Sequence, residues 1–311
     1  MMKYPKLLGD NDLIGVTALS SGASDCIDDM NEAINNLKKY FHVIVTDNVY
    51  GNCVVSSSVK NRIEQLYQLL NQKKLKLIII SRGGDYLYEI LENLNYSAIK
   101  KKNIWIEGAS DATPLLYILT TKYDLATIYG RNAKQFSIIS DDIKDNIQLL
   151  KNNTIIQNSY NDREIISING NFKDKGIIIG GCFDSIRNII GTKFDNTKKF
   201  IERYKDKKII WYFDIFAMSS IDVYLTLLQL KSAGWFKYSN TFIFGTIKHS
   251  TLYADITYEE AIKKSLHEYD NIIINANIGH VKPSNTIING SYAFIEFKDG
   301  NFKIHQEFIE N

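Results

Sequence analysis

The segment Ile104-Trp105-Ile106-Glu107-Gly108-Ala109-Ser110-Asp111-Ala112-Thr113-Pro114 carries the clearest chemical signal in the chain. An apolar run leads into a serine whose neighbours two residues away on either side, Gly108 and Ala112, are small. A helix is expected directly afterwards, with Pro114 in its first turn, where a missing N–H does no harm. This is the layout of a nucleophile elbow. A sharp strand-to-helix turn lifts the hydroxyl out of the sheet and aims the next backbone N–H, here that of Asp111, at a developing oxyanion. The same residues also suit a plain helix start, because Ser and Asp are favoured caps. A second turn, Ser81-Arg82-Gly83-Gly84-Asp85, follows the run Leu77-Ile78-Ile79-Ile80. Gly83 and Gly84 would let the backbone approach a substrate and supply a further oxyanion donor, an ordinary tight connection being the alternative.

A serine nucleophile needs a base, and histidine is the side chain whose ordinary pKa suits that task near neutrality. The chain has five histidines. His42 opens an apolar run, His267 ends a charged helical stretch, His249 sits in a polar loop and His305 belongs to a terminal hairpin. His280 differs, following Gly279 just after the apolar run 272–276 in the phrase Asn277-Ile278-Gly279-His280-Val281-Lys282-Pro283.

These residues need a scaffold, and the pattern of apolar runs supplies one. The first half alternates short β-branched runs at 13–18, 42–46, 77–81, 103–107 and 125–129 with amphipathic stretches near 25–40, 59–71, 86–94 and 113–121. That alternation predicts a parallel sheet flanked by helices, with both glycine-bearing turns at the carboxyl edge where α/β proteins bind ligands. Between 141 and 175 the regularity fades among scattered asparagines (Asn152, Asn153, Asn158, Asn161, Asn169), and this stretch reads as an interdomain crossing. Strand-like runs resume at 176–180, 209–213, 241–244 and 272–274, and close with 292–297 and 302–305 joined by Asp299-Gly300, a tight-turn dipeptide. Helices are expected at 221–233 and 258–267. At 311 residues the chain exceeds what one core usually fills, so two domains are expected, 1–140 and 176–311.

Composition narrows the function. Lys+Arg 37 against Asp+Glu 35 leaves a net charge of +2, with basic residues in short groups rather than on one aromatic-interleaved stripe, which argues against a nucleic-acid partner. No segment offers the roughly 20 consecutive apolar residues of a membrane span, and the amino terminus lacks a secretory run, so a cytoplasmic protein without a membrane partner is expected. Three separated cysteines, Cys26, Cys53 and Cys182, fit neither a disulfide framework nor a zinc site, so no metal is expected.

Taken in order, Gly9-Asp10, Ile14-Gly15-Val16, Ser20-Ser21-Gly22, Arg82-Gly83-Gly84, Gly108-Ala109-Ser110-Asp111, Gly180-Gly181, Gly191-Thr192 and Gly279-His280 resemble the LD-carboxypeptidase (murein tetrapeptide carboxypeptidase) family, including the microcin C immunity peptidases. The likeness spans nearly the whole chain. It implies an α/β enzyme in which an amino-terminal parallel α/β sandwich domain supplies the serine and a carboxyl-terminal β-rich, barrel-like α/β domain supplies an acid and a histidine. Ser110 matches the nucleophile and His280 the base. The family acid is a glutamate at a strand end, and the matching strand here, Ile209-Ile210-Trp211-Tyr212-Phe213, ends in Asp214. Aspartate serves in many serine triads, but it is one methylene shorter, and a misplacement of about 1 Å can cost roughly a hundredfold in rate. Asp222 suits a first-turn helix residue better.

Three further positions depart from the family: Asp85 replaces an aromatic, Tyr129-Gly130-Arg131 replaces His-Gly-Pro, and Cys182 replaces an asparagine. Cys182 has no histidine near it in sequence and reads as a buried small residue. The resemblance implies hydrolysis of an amide at the carboxyl end of a short peptide, the L-to-D bond of a murein tetrapeptide or a peptidyl-nucleotide, without a cofactor. A small peptide or muropeptide is then the expected partner, and a homodimer the candidate assembly. A substrate carboxylate calls for a cation, for which Arg82 and Arg131 stand nearest by motif, a structural ion pair being the alternative for each. Two competing readings remain open at this level: a weakened family member that binds peptides without cleaving them, and a ligand-binding α/β protein unrelated to hydrolases.

Overall fold

The computed structural model describes residues 1–152, 154–160, 162–253 and 255–308 and divides into two units, Met1–Asn153 and Thr154–Asn311. In the first unit the strands β1 (Leu13–Thr17), β2 (His42–Val45), β3 (Leu75–Ile80), β4 (Trp105–Gly108) and β5 (Thr127–Tyr129) lie in the order β5-β4-β3-β1-β2, all parallel. The chain leaves β1 toward one side and returns at β3 on the other. The carboxyl ends of β1 and β3 therefore flank a topological switch point, the usual ligand crevice of such sheets.

The helices follow their apolar periodicity. In α1 (Ile27–Lys38) Met30, Ala33, Ile34 and Leu37 are buried at spacings of three and four, and in α2 (Val59–Leu70) Leu66, Leu69 and Leu70 are buried. Large apolar side chains on such faces contribute about 1.5–3 kcal/mol each when fully buried. The stretch expected to be helical near 86–94 is instead a 3-10 segment, Leu87–Asn93, followed by a short helix, α3 (Tyr96–Lys102), capped by Asn95. Helix α4 (Thr113–Tyr123) is buried on every side from Thr113 to Thr121, and so shows no amphipathic stripe.

The stretch 141–175 is more ordered than a crossing. It opens with helix α5 (Asp141–Leu149), and the strands β6 (Thr154–Asn158) and β7 (Ile166–Ser167) follow. Helix α5 belongs to the first unit because Asp142 and Asn146, four residues apart on one helical face, pair with Arg131 and Glu107. Asn153 and Asn161 lie outside the described residues.

The second unit adds β8 (Phe172–Cys182), α6 (Phe183–Ile186), α7 (Thr197–Arg203), β9 (Ile209–Asp214), α8 (Ser220–Ser232), β10 (Ser239–Gly245), α9 (Tyr258–Ser265), β11 (Asn271–Ala276), β12 (Ile287–Asn289), β13 (Tyr292–Lys298) and β14 (Asn301–Glu307). Its eight-stranded mixed sheet runs β6-β14-β13-β8-β9-β10-β11-β7, with β8 to β11 parallel. Strands β13 and β14 form the expected hairpin, and Asp299 and Gly300 both take positive φ, 49° and 80°, as a tight primed turn requires. Trp211, Phe213, Trp235, Phe236 and Phe244 pack ring to ring in the core.

Gly180 on β8 permits a close backbone approach that a side chain would disrupt, since a Cβ there would lie 1.8 Å from the Tyr212 carbonyl oxygen. Gly180→Ala should therefore destabilise the chain by roughly 2–4 kcal/mol. Gly300→Ala meets no atom within 4 Å and carries only the positive-φ penalty, so it should cost about 1 kcal/mol. Thermal or urea unfolding of the two variants tests this order, and equal losses would refute it.

Candidate functional site

In the first unit β4 runs through a sharp turn into α4. Ser110 has φ 61°, in the left-handed region that a non-glycine residue enters only at a cost, and it starts the 3-10 turn Ser110–Ala112 between β4 and α4. Neither Ser110 nor Asp111 caps the helix. The residue at the cap of α4 is Ala112, with Pro114 in the first turn as expected, and the Asp111 carboxylate instead accepts the Leu87 N–H at 2.9 Å. Burial raises the pKa of that carboxyl, and hydrogen bonds from Ser20 and from the Leu87 and Tyr86 backbone oppose the rise.

The turn after β3 lies directly beside the serine. A Cβ on Gly83 would stand 3.0 Å from Ser110 Cβ and 3.2 Å from its Oγ, and one on Gly84, at φ 142°, would run into the Ser20 and Ser21 hydroxyls at 2.4 Å. These two glycines are what lets three loops converge at the carboxyl edge. The Ser110 N–H donates to the Tyr129 hydroxyl at 3.3 Å, and the Ala109 N–H donates to Asn132 Oδ1 at 3.0 Å. Tyr129 and Asn132 thus hold the elbow from β5. Asn132 also caps the 3-10 turn Ala133–Ser137 with a capping box to Gln135.

The two arginines sit in ion pairs, the alternative left open above. Arg82 pairs with Asp25 and donates to the Gly22 carbonyl at 2.7 Å, with 22% of its side chain exposed. Arg131 is 2% exposed and paired with Asp142, which is equally buried, so its guanidinium stabilises the first unit's interior rather than facing a ligand. Its backbone N–H donates to Glu107 Oε1 at 2.9 Å, and Asn146 Nδ2 donates to the same oxygen at 2.7 Å. Glu107 Oε2 has no hydrogen-bond partner among the described residues. Burial pushes the Glu107 carboxyl up to about 7 despite those two donors.

In the second unit, Asp214 ends β9 fully buried, and its register partner on β8 is Cys182, which is 1% exposed. Neighbours in register on parallel strands send their side chains to the same face. Asp214 Oδ2 lies 2.7 Å from His280 Nδ1, and Oδ1 accepts the His280 backbone N–H at 3.2 Å. The ring nitrogen thus stands at ion-pair distance from the carboxylate. The shorter side chain of Asp214 therefore reaches the His280 ring.

Gly279 makes that approach possible. Its φ is 92°, and a Cβ on it would stand 1.9 Å from Asp214 Cγ. Its N–H donates to Ser284 Oγ at 2.9 Å. One partner of His280, and the residue that holds it, were invisible in the pattern. The Phe216 ring lies 4.4 Å from the His280 ring, centroid to centroid, and Asp184 holds the loop bearing Phe216 by accepting the Phe216 and Ala217 N–H groups at 2.9 Å each. No spacing rule connects residues 184, 216 and 280. Burial, with Asp214 and Asp184 nearby, raises the Cys182 thiol pKa well above the ordinary range, which leaves Cys182 a poor nucleophile. Asp222 is a first-turn residue of α8 whose N–H donates to the cap Ser219, as expected.

Glu107 yields a pH prediction. Its folded pKa of about 7 exceeds the ordinary 4.5, so between those values the folded chain holds a proton that the unfolded chain has lost. The stability it contributes is complete below the unfolded value and is lost as pH rises through the folded value, at up to about 1.4 kcal/mol per pH unit. Urea unfolding of wild type and Glu107→Gln across this window should show a downward slope with pH that the variant lacks. Parallel profiles would mean that Glu107 is ionised in the folded chain throughout.

The family description "LD-carboxypeptidase N-terminal domain" matches residues 14–130, and "LD-carboxypeptidase C-terminal domain" matches residues 175–295. A protein of Treponema pallidum (strain Nichols) with a provisional carboxypeptidase name is 30% identical over 112 residues, 36% of this chain and 33% of that protein. A similarly named protein of Vibrio cholerae serotype O1 is 30% identical over 132 residues, 42% of this chain and 40% of that protein. The chain thus matches well under half the length of these curated relatives. Among solved structures, the microcin C7 self-immunity protein MccF in complex with aspartyl sulfamoyl adenosine superposes with TM-score 0.82 at 18% identity, covering 100% of both chains. A muramoyltetrapeptide carboxypeptidase from Oxalobacter formigenes gives 0.81 at 17% identity, covering 96% of this chain and 100% of that one. An MccF-like protein from Bacillus anthracis gives 0.81 at 22% identity, covering 99% and 100%. The structural likenesses establish the fold, and the two matched domains, which together take in most of the sequence, establish the lineage: the chain belongs to the LD-carboxypeptidase family of peptidases.

Proposed function

We propose that the chain is a serine peptidase that cleaves an amide at the carboxyl end of a short peptide through an acyl-enzyme. The observation that carries this reading is Ser110 held at φ 61° on a strand-to-helix turn, with the Gly83 backbone against its hydroxyl. Strain of that kind persists only where the surroundings enforce it, and here it presents a part-exposed hydroxyl at the carboxyl edge of a parallel sheet.

In the proposed reaction His280 takes the Ser110 proton as Oγ bonds to the carbonyl carbon. The carbonyl π electrons move to oxygen, which accepts hydrogen bonds from the backbone N–H of Asp111 and from the Gly83-Gly84 turn. Collapse of the adduct breaks the C–N bond, and His280 returns its proton to the leaving amine. Water, deprotonated by the same ring, then releases the acid and restores Ser110. Asp214, 2.7 Å from Nδ1, holds the tautomer that leaves the other ring nitrogen free for this work and stabilises the imidazolium when it forms. Arg82, the part-exposed cation next to Gly83, is the proposed partner for a substrate carboxylate, which it would meet by exchanging its Asp25 contact. The proposed substrates are the L-to-D bond of a murein-type tetrapeptide and the amide of a peptidyl-nucleotide. Among the described residues no helix is long and apolar enough to cross a membrane, and action in the cytoplasm is part of the same proposal.

Incubation with a murein tetrapeptide and with a peptidyl-adenylate analogue, read by mass spectrometry, tests this. Wild type should release the terminal residue or the nucleotide part. Ser110→Ala should lower kcat/KM by roughly 10⁴-fold or more, and Asp214→Asn by a comparable factor, because the wrong tautomer disables the base. Turnover by Ser110→Ala equal to wild type would remove that serine from the mechanism. Binding of either compound without turnover by wild type would identify a peptide-binding protein instead.

A further inference from the structure

Cys182 has no role in that chemistry, yet it stands beside the two residues most important to it. Its thiol sulfur, an Asp214 carboxylate oxygen and a His280 ring nitrogen all lie within 4.8 Å of one another. Three different parts of the chain bring them there: the last residue of β8, the last residue of β9 in register with it, and the loop after β11. From these positions we infer that Cys182, Asp214 and His280 form a binding site for a borderline-soft divalent cation such as Zn²⁺, and that the bound cation inhibits the enzyme.

The donor set carries the argument. One thiolate, one imidazole and one carboxylate are the ligand types that Zn²⁺ prefers over Mg²⁺ or Ca²⁺, and three protein ligands leave a fourth tetrahedral position for water. Zn²⁺ bonds of about 2.0–2.3 Å place tetrahedral ligand atoms roughly 3.5 Å apart, so the Asp214–His280 pair, 2.7 Å apart, has to open slightly while the sulfur, within 4.8 Å of both, draws in. Two of the three are preorganised by the sheet, and the third sits on a loop already bonded to Asp214 through its backbone. Asp184 lies 3.9 Å from the Cys182 sulfur, but it is committed to the Phe216 and Ala217 N–H groups and serves as a neighbouring anion rather than a ligand.

Binding exchanges the Cys182 S–H bond for an S–metal bond and releases that proton to solvent, with no oxidation. A cation bound at the ring nitrogen that faces Asp214 moves that nitrogen's proton to the other ring nitrogen, so the lone pair that would accept the Ser110 proton is lost, and the Asp214 carboxylate is taken out of use with it. The inhibition, though not the binding, rests on the proposed role of His280. Cys182 would then make the enzyme sensitive to the free Zn²⁺ level at a position where serine would not.

The test uses the full chain, stripped of metal with a chelator and titrated with Co²⁺ under anaerobic reducing conditions. Wild type should bind one equivalent with a thiolate-to-cobalt charge-transfer band in the near ultraviolet, bleached by one equivalent of Zn²⁺. Cys182→Ser should lose the band and bind Zn²⁺ on the order of 100-fold more weakly, while its peptide hydrolysis stays at the wild-type rate and becomes insensitive to Zn²⁺. His280→Gln, at a part-exposed loop position, gives a second reading if the buried serine variant does not fold: the band should persist, with affinity lowered at least about tenfold. No saturable band in wild type, or an unchanged band in Cys182→Ser, which would assign it to Cys26 or Cys53, overturns the inference. The cobalt and zinc binding readings require no turnover, so a failure of the peptidase proposal would remove only the hydrolysis reading and leave the binding site standing or falling by itself.

Discussion

Asp214 can touch His280 only because Gly279 has no side chain. The aspartate is fully buried at the end of β9, and an ionisable carboxyl in that position is costly unless its oxygens are met. The loop after β11 meets them twice, through the His280 backbone N–H and its ring, by running its own backbone into the space that a Cβ would fill. The gap of one methylene that a shorter carboxylate side chain could leave is thereby closed from the side of the His280 loop. The loop is held in turn by Ser284 behind Gly279 and by Phe216 against the imidazole, and Phe216 is fixed by the Asp184 clamp.

A similar economy of space governs the first unit. The strained backbone of Ser110 is supported from both sides: Gly83 approaches closely in front, while Tyr129 and Asn132 tie down the two N–H groups that enter the turn. Beneath it Glu107, Arg131, Asp142 and Asn146 form a buried polar network. Burying charged groups is weak evidence for net stability, because desolvation offsets most of the Coulomb attraction. What the network does supply is position, since it joins β4, the segment after β5 and α5 through directional bonds. The raised Glu107 carboxyl follows from the same geometry: two donors converge on one oxygen, and burial outweighs them.

The placement of Cys182 shows how one substitution can add chemistry without disturbing a fold. It occupies a strand end whose register partner is the acid of the proposed triad. A small, polarisable, buried side chain fits there as packing, and the same sulfur completes a mixed donor set that neither neighbour has alone.

Much of this was legible in local pattern. The parallel strands, α1, α2, α8 and α9 and the terminal hairpin announce themselves by period, caps and turn residues, and α4 by Pro114 in its first turn, because those forces act over a few residues. Ser110, Gly83-Gly84 and Gly279-His280 were also visible, since tight turns need particular residue types. The elements between 141 and 175 were not, because α5 is fixed by partners at Arg131 and Glu107 and β6 by β14, far away in sequence. Arg131 and Arg82 looked alike as cations near a motif, and only packing shows one sealed against Asp142 and the other part-exposed beside Asp25. The amino-acid order by itself determined which backbone positions could turn sharply and which side chains could react. The tertiary structure alone decided that Asp214 reaches His280, that Cys182 stands beside both and that Asp184 holds Phe216, because strand register and loop approach are set by contacts summed over the whole unit, and no residue's identity records its distant neighbours.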